Sequence, residues 1–396
     1  MQLEINNKKY ERNIRKSYIF NLILGIHTVR GIYIPYMTDW GQLNFFEIMI
    51  LQSYFTFVIF LLEIPSGAIA DFIGRKTALS LSALSIALAA ILYSIIPYFL
   101  LFLFAETFWG LGIALMSGTE EAFLYNTLRK LGKEEELPKI LARNRTMNLI
   151  ALTLSAPIGS IIAVFISLQF AMTCLAFVYM GAFIASLTFK EPIFKEECKS
   201  ERYLSIIKEG FRELKNNKIL RILCFDRLFI EVLIYFLFWT YQPYLQEINV
   251  HILFFGLITS MMNIVNVIFI NLLPKFAKRF KNKIKLLILM NSITGFSYIF
   301  LGLTMNALLG IVIILIIVAF GYPRYLLYIN GINNQVESEN RATVLSTINM
   351  FESLIRAIVY PFIGIIVMWN IFAFFIIIGI LIIIFTIFTR VKNDYL

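Results

Sequence analysis

Apolar residues in this chain come in long runs separated by short polar stretches. Twelve runs stand out, at residues 17–38, 43–70, 77–96, 98–122, 146–166, 169–189, 219–245, 252–273, 285–304, 307–330, 342–366 and 369–389. About 20 such residues in a helix span a hydrocarbon core roughly 30 Å thick. Inside lipid a peptide group finds no water, so a spanning run closes its own hydrogen bonds as a helix. The pattern predicts an all-α membrane protein with twelve transmembrane helices, numbered here as spans one to twelve. Span two is long enough to require a tilt.

Charge sets the expected orientation. Of 35 Lys and Arg residues, all but Arg30, Arg227, Arg324 and Arg356 fall in the termini, in the segments that follow even-numbered spans or, for Arg221 and Lys285, in the adjoining first turn of the next span. The turns on the opposite side carry none. The positive-inside rule then places both termini in the cytoplasm, with the bacterial inner membrane as the expected location. The net charge of +10 is thus a topology signal and not a nucleic-acid footprint.

Composition agrees with a membrane protein, at 59% hydrophobic and 15% charged, against about 25% charged for soluble domains. The first sixteen residues are polar and basic and do not read as a secretory signal. Cys174, Cys198 and Cys224 show no framework spacing and read as free thiols.

The basic segment 190–218 divides the chain, giving expected domains at 1–189 and 219–396. Its stripe of Tyr203, Leu204, Ile207, Phe211 and Leu214 predicts an amphipathic helix on the membrane surface or on the span ends. Shifting the second half back by 207 positions lays Pro274–Lys283 over Gly67–Lys76. Both stretches join a second span to a third. Lys278 and Lys281 then stand where Asp71 and Gly74 stand, so the two halves look like a decayed internal repeat.

The earlier of those stretches, Gly67-Ala68-Ile69-Ala70-Asp71-Phe72-Ile73-Gly74-Arg75-Lys76, reads G-x-x-x-D-x-x-G-R-K. In that position it resembles the loop signature of the major facilitator superfamily of secondary transporters. The chain departs from the pattern at Phe72, where the family usually has a base. The resemblance implies two pseudo-symmetric six-helix bundles, the parallel repeat of this fold. It also implies that spans one, four, seven and ten line a central cavity. In the family the loop is a conformational latch. Here Gly67, Asp71, Gly74, Arg75 and Lys76 would form it, with Arg341 at the start of span eleven as a candidate partner, since a carboxylate is favourable at a helix N-terminus.

Charges within spans are the leading candidates for substrate binding or proton coupling, because a bare charge in the bilayer is costly. Arg30 and Glu106 lie at matching depth in spans one and four, and His27 is one turn before Arg30. The pair could handle a proton or could simply pin two helices. Glu63, in span two, could also handle protons. Asp226, Arg227 and Glu231 lie in span seven, where Arg227 and Glu231 are i, i+4 and can pair within the helix. Glu231 could alternatively meet Arg324 of span ten. The first arrangement would leave Arg324 for an anionic substrate. Glu352 and Arg356 of span eleven read as a helix-internal pair. Glu120 and Glu121 read as interfacial, and Ala156-Pro157-Ile158-Gly159-Ser160 of span five weakly resembles the Gly-Pro motif of the superfamily's antiporters.

With only His27 and His251, no metal-binding H-E-x-x-H is present, and no P-loop or marked nucleophile appears. The expectation is a monomeric, non-enzymatic transporter without cofactor or metal, whose partners are a small molecule, protons and the lipid bilayer. Proton-coupled export of a lipophilic compound is the leading reading. The alternatives are uptake or exchange of a small organic anion through Arg30 and Arg324, and a non-transporting receptor on the same scaffold.

Overall fold

A computed structural model of the chain describes residues 2–192, 211–280, 282–336 and 341–396. Every regular element among them is helical. The first group comprises α1 (Gln2–Gly25), α2 (Phe45–Ile73), α3 (Arg75–Ile95), α4 (Phe99–Met116), α5 (Thr119–Leu131), α6 (Leu137–Phe165) and α7 (Leu168–Leu187). The second comprises α8 (Lys218–Tyr235), α9 (Leu237–Glu247), α10 (Phe255–Arg279), α11 (Lys283–Leu303), α12 (Ala307–Gly321), α13 (Tyr325–Asn334), α14 (Arg341–Trp369) and α15 (Ile371–Ile387). Among the described residues, nine helical stretches are long and apolar enough to cross a membrane, and Ile371–Ile387 is a shorter apolar helix. Together these account for every expected span except one and seven.

Those two are broken. Span one runs as α1 to Gly25, turns through 26–32, and resumes as a short helix, Tyr33–Pro35, and a π-helical turn, Tyr36–Trp40. Span seven is α8 and α9, separated at Phe236. Spans four and ten are interrupted as well. The first breaks at Ser117–Gly118, between α4 and α5, and the second passes through a 3-10 turn at Tyr322–Arg324 that contains Pro323. Proline cannot supply an amide to the helical ladder, which accounts for that interruption. The four interrupted spans are the same four that the family resemblance puts around the cavity.

The chain divides into two compact units, one of Met1–Leu43 and Tyr54–Glu201, the other of Asn44–Ser53 and Arg202–Leu396. In the first, α3 packs along α7 and α4, and α1 along α6. In the second, α11 packs along α15 and α12. The third span of each unit therefore sits against the sixth and the fourth. One core cluster of the first unit gathers Phe20, Leu79, Phe123, Leu128 and Phe189, and one of the second Leu220, Leu287, Tyr328, Ile348 and Leu396.

The start of the third span is capped in a related way in both units. In the first, the Glu191 carboxylate accepts the amides of Arg75 at 3.0 Å and Lys76 at 2.8 Å. In the second, Asn393 Oδ1 accepts the amide of Lys283 at 2.7 Å. Lys76 and Lys283 are equivalent under the 207-residue shift, and each cap comes from the segment after the unit's last span. Of the second stretch of the repeat, Lys281 lies outside the described residues.

Two further expectations meet the structure here. Glu120 accepts Asn21 Nδ2 at 2.6 Å and Asn144 Nδ2 at 2.7 Å, tying α5 to α1 and α6 in a half-buried polar knot in which the two amides satisfy the carboxylate. Of the stripe in the basic segment, Phe211 and Leu214 pack on the second unit's core, whereas Tyr203, Leu204 and Ile207, like Cys198, lie outside the described residues.

The broken part of span one is seated on span five. A Cβ on Gly159 would lie 1.6 Å from the Thr28 carbonyl oxygen, so glycine alone fits. Ser155 Oγ accepts the His27 amide at 2.9 Å, and Thr28 Oγ1 donates to the Ala171 carbonyl at 2.7 Å. Gly159→Ala is expected to destabilise the protein by at least about 1–3 kcal/mol, the usual effect of overpacking. Gly181→Ala, where a Cβ meets nothing within 4 Å, serves as the control in thermal unfolding of the detergent-solubilised protein.

Candidate functional site

Two clusters of buried polar side chains lie beside the helix breaks, one in each unit. In the first, Glu106 on α4 is only 4% exposed. Its Oε1 accepts the Tyr93 hydroxyl at 2.5 Å and the Tyr33 hydroxyl at 3.4 Å. Tyr33 opens the short helix after the break and follows Arg30 by three residues, so the break delivers it to the carboxylate. Arg30 itself lies in the turn, where its amide donates to the His27 carbonyl at 3.1 Å, and its charge acts on His27 and Tyr179. Trp109, one turn beyond Glu106, contacts His27, Tyr93 and Tyr179 with ring centroids 5.9, 6.4 and 6.0 Å away. His27 Nδ1 is buried without a hydrogen-bond partner. The site is a carboxylate held by neutral phenols inside an aromatic wall.

In the second unit three cations meet three carboxylates, with Asp226, Arg227, Arg324 and Glu352 buried and Glu231 and Arg356 half-buried. Arg227 Nε donates to Glu231 at 2.7 Å along α8, and Arg356 Nη2 to Glu352 at 3.2 Å along α14. The two pairs are close enough for Arg227 to act on Glu352 and Glu231 on Arg356. The Arg356 guanidinium also lies 4.4 Å from the ring centroid of Tyr235, which favours a cation over its face. Tyr328 connects the third pair of charges. Its hydroxyl donates to Asp226, whose other oxygen accepts Thr389 Oγ1 at 2.6 Å, and its ring lies 5.0 Å from the Arg324 guanidinium.

Arg324 resolves the alternatives left by the sequence. Glu231 is taken by Arg227 within the helix. Arg324 is 1% exposed and donates through Nε to Asn291 Oδ1 at 3.2 Å and through Nη2 to the Arg227 carbonyl at 3.3 Å. It joins spans seven, nine and ten, and its Nη1 is buried without a partner. Neither Asn291 nor Tyr328 carries a charge, so neither stood out in the sequence. The same holds for Tyr33, Tyr93, Trp109 and Tyr179. The one available signal was Tyr33, three residues from Arg30.

The signature stretch spans a helix end, a turn and a helix start. Gly67 lies within α2. Gly74 has φ +93° between α2 and α3, a conformation suited to glycine, and a Cβ there would lie 3.2 Å from Glu191 Oε2. Asp71 pairs with Arg75 at 3.5 Å on the surface. The carboxylate that caps the start of α3 is Glu191, which the sequence did not single out. Arg341 Nε donates to the carbonyls of Asn333 and Val336 at 3.1 and 3.4 Å. Glu63 is on α2, and its side chain lies outside the described residues.

The family model of the Major Facilitator Superfamily matches residues 19–359. The chain belongs to the Major Facilitator Superfamily. Solved structures of this superfamily's fold superpose on nearly its whole length. The nucleoside transporter NupG matches with a TM-score of 0.79 at 12% identity, covering 95% of this chain and 98% of its own. A D-xylose-proton symporter matches with a TM-score of 0.73 at 13% identity, over 98% and 99% of the two chains. A bacterial homolog to the human lysosomal transporter Spinster matches at 0.70 and 14% identity, over 98% and 96%. At these identities the likeness concerns the fold. A search of curated protein sequences finds no match. As a superfamily member the chain is a multi-pass membrane protein with the transporter fold, and the interrupted spans one, four, seven and ten acquire a common meaning. Helix breaks at membrane depth are tolerated where protein or a cavity satisfies the freed backbone, and they are where transporters of other folds build their sites.

Removing Arg227 leaves the half-buried Glu231 carboxylate without its partner. Arg227→Gln is expected to destabilise by about 1–3 kcal/mol. The double variant Arg227→Leu with Glu231→Leu should lose less than the single change. Denaturant unfolding in a fixed detergent compares the two.

Proposed function

We propose that the protein is a secondary active transporter working by alternating access, coupled to protons through Glu106, and that it exports a lipophilic small molecule. The observation carrying this reading is the environment of Glu106, a buried carboxylate on an interrupted span, hydrogen-bonded to two phenols beside the turn that bears Arg30. Phenolic hydroxyls can donate to the carboxylate or, after rotation, accept from the acid. Such a group can therefore gain or lose a proton without leaving a buried polar atom unmatched. Water or the Arg30 charge near the site favours the anion, whereas a dry, apolar surrounding favours the acid. An alternation between the two loads a proton on one side and releases it on the other. Proton coupling is part of the printed name of the D-xylose-proton symporter, a relative in fold. The rings of Trp109, Tyr179 and Tyr93 supply the adaptable apolar faces that suit a lipophilic substrate. In this reading Gly67, Asp71, Gly74, Arg75 and Lys76 form the latch whose opening permits the cycle, and the protein is a monomer of the inner membrane with cytoplasmic termini.

A second reading, exchange of a small organic anion, is supported by Arg324, whose open Nη1 is a donor awaiting an acceptor. Flux in proteoliposomes separates the two, using an acid-inside gradient and a panel of lipophilic cations, such as tetraphenylphosphonium, alongside small carboxylates. Glu106→Gln is expected to abolish gradient-driven accumulation while leaving downhill exchange, and Glu63→Gln is tested beside it. If both variants concentrate substrate with the parent's pH dependence, the coupling group is elsewhere, and Glu231 is tested next. Asp71→Asn at normal abundance is expected to slow flux in every mode. Parent-like flux in that variant would remove the latch.

A further inference from the structure

An elongated cavity of about 620 Å³ lies in the second unit at the end of span seven that follows the basic segment. One wall is a stripe of α8, with Arg221, Cys224, Phe225 and Leu228 at helical neighbour spacing. The lining is completed by Phe351 and Ile355 of α14 and by Phe211, Leu214 and Lys215 of the helical residues 211–216, with the Phe211 ring tilted against Phe351 at 6.0 Å. Phe225 is 64% exposed, which opens the slot on the surface of the unit.

The chemistry along the slot is graded. Lys215 and Arg221 stand exposed at one end, and among the described residues no carboxylate lines the cavity. Arg221 Nη1 donates to the Lys215 carbonyl at 3.2 Å, which anchors the guanidinium to the backbone of the residue that bears the second cation. From Arg221 the lining turns apolar through Cys224 to Leu228, two turns or roughly 10 Å deeper along the helix. Two neighbouring cations at the level of the loops, continuing into a hydrocarbon-lined slot of this length, complement a molecule with an anionic head and an alkyl tail. Guanidinium and ammonium groups are strong partners for phosphate. We propose that this slot binds an anionic phospholipid of the surrounding bilayer, its phosphate between Lys215 and Arg221 and an acyl chain against Cys224, Leu228 and Ile355. The slot lies behind the charge cluster, since Leu228 follows Arg227, while Phe351 and Ile355 precede Glu352 and Arg356. A lipid there would brace the two helices that carry both ion pairs.

The test uses the full-length protein in mixed micelles, titrated with dioleoyl phosphatidylglycerol or, in parallel, dioleoyl phosphatidylcholine. Thermal unfolding and native mass spectrometry are the readouts. Phosphatidylglycerol is expected to raise the melting temperature beyond the phosphatidylcholine response. The double variant Lys215→Gln with Arg221→Gln, both exposed positions, should lose that excess and retain phosphatidylglycerol at least about tenfold less well, the effect of losing one charge-assisted contact. The control Lys139→Gln with Arg143→Gln, exposed cations of α6, should keep both. Four results would overturn the site: an undiminished excess in the first variant, an equal loss in the control, an equal shift with inorganic phosphate alone, or no excess in the parent. The last would give the slot to another occupant, such as the chain's own Tyr203-Leu204-Ile207 stripe.

Discussion

A peptide group at membrane depth must find its hydrogen bond within the protein, and the interruption of span one turns that requirement into architecture. Seven residues, 26–32, leave the helical ladder. The freed amides of Arg30 and Ile32 are taken up by short turns and that of His27 by Ser155 of span five, while the Thr28 hydroxyl ties the turn to the Ala171 carbonyl of span six. Such bonds form only if span five approaches to backbone contact, which Gly159 allows. Once the turn is seated, the direction of its side chains is set. His27 faces Trp109, Arg30 lies in the turn, and Tyr33 reaches Glu106. The candidate site of the first unit is thus a product of one close crossing between two helices.

The second unit meets the other expense of the bilayer, buried charge, by matching. Three cations and three carboxylates lie close together, and neutral groups, Asn291, Tyr328 and Tyr235, fill some of the remaining directions. Desolvation penalises each ion singly, while a paired and hydrogen-bonded set offsets much of that penalty. The arrangement is also one that can rearrange. Arg324 has a nitrogen without a partner, and Arg356 Nε is in the same condition, so the network is not saturated in this state.

The membrane class and ten of the spans were legible because a long apolar run has few alternatives in lipid. The breaks in spans one and seven were not, since an apolar run reads the same whether the helix is continuous or interrupted by contacts made elsewhere. The sequence located the charged members of both clusters for a related reason: charge is rare in spans, and therefore conspicuous. Their partners were hidden because phenols and amides are common, and a Tyr that satisfies Glu106 looks like any Tyr facing lipid. Arg227–Glu231 was readable from i, i+4 spacing, whereas the Arg324–Asn291 contact joins positions 33 apart and has no local signature. Glu191 escaped attention as one carboxylate in a basic segment.

That carboxylate has a mechanical consequence. Glu191 is the stopper on the first turn of α3, and it is also where the described chain leaves the first unit toward the connector between the halves. Its two bonds to the Arg75 and Lys76 amides fasten the chain just after span six to the turn containing Gly74, at the heart of the superfamily signature. Losing that carboxylate would leave two amides of the signature unanswered and unpin the end of span six from the turn.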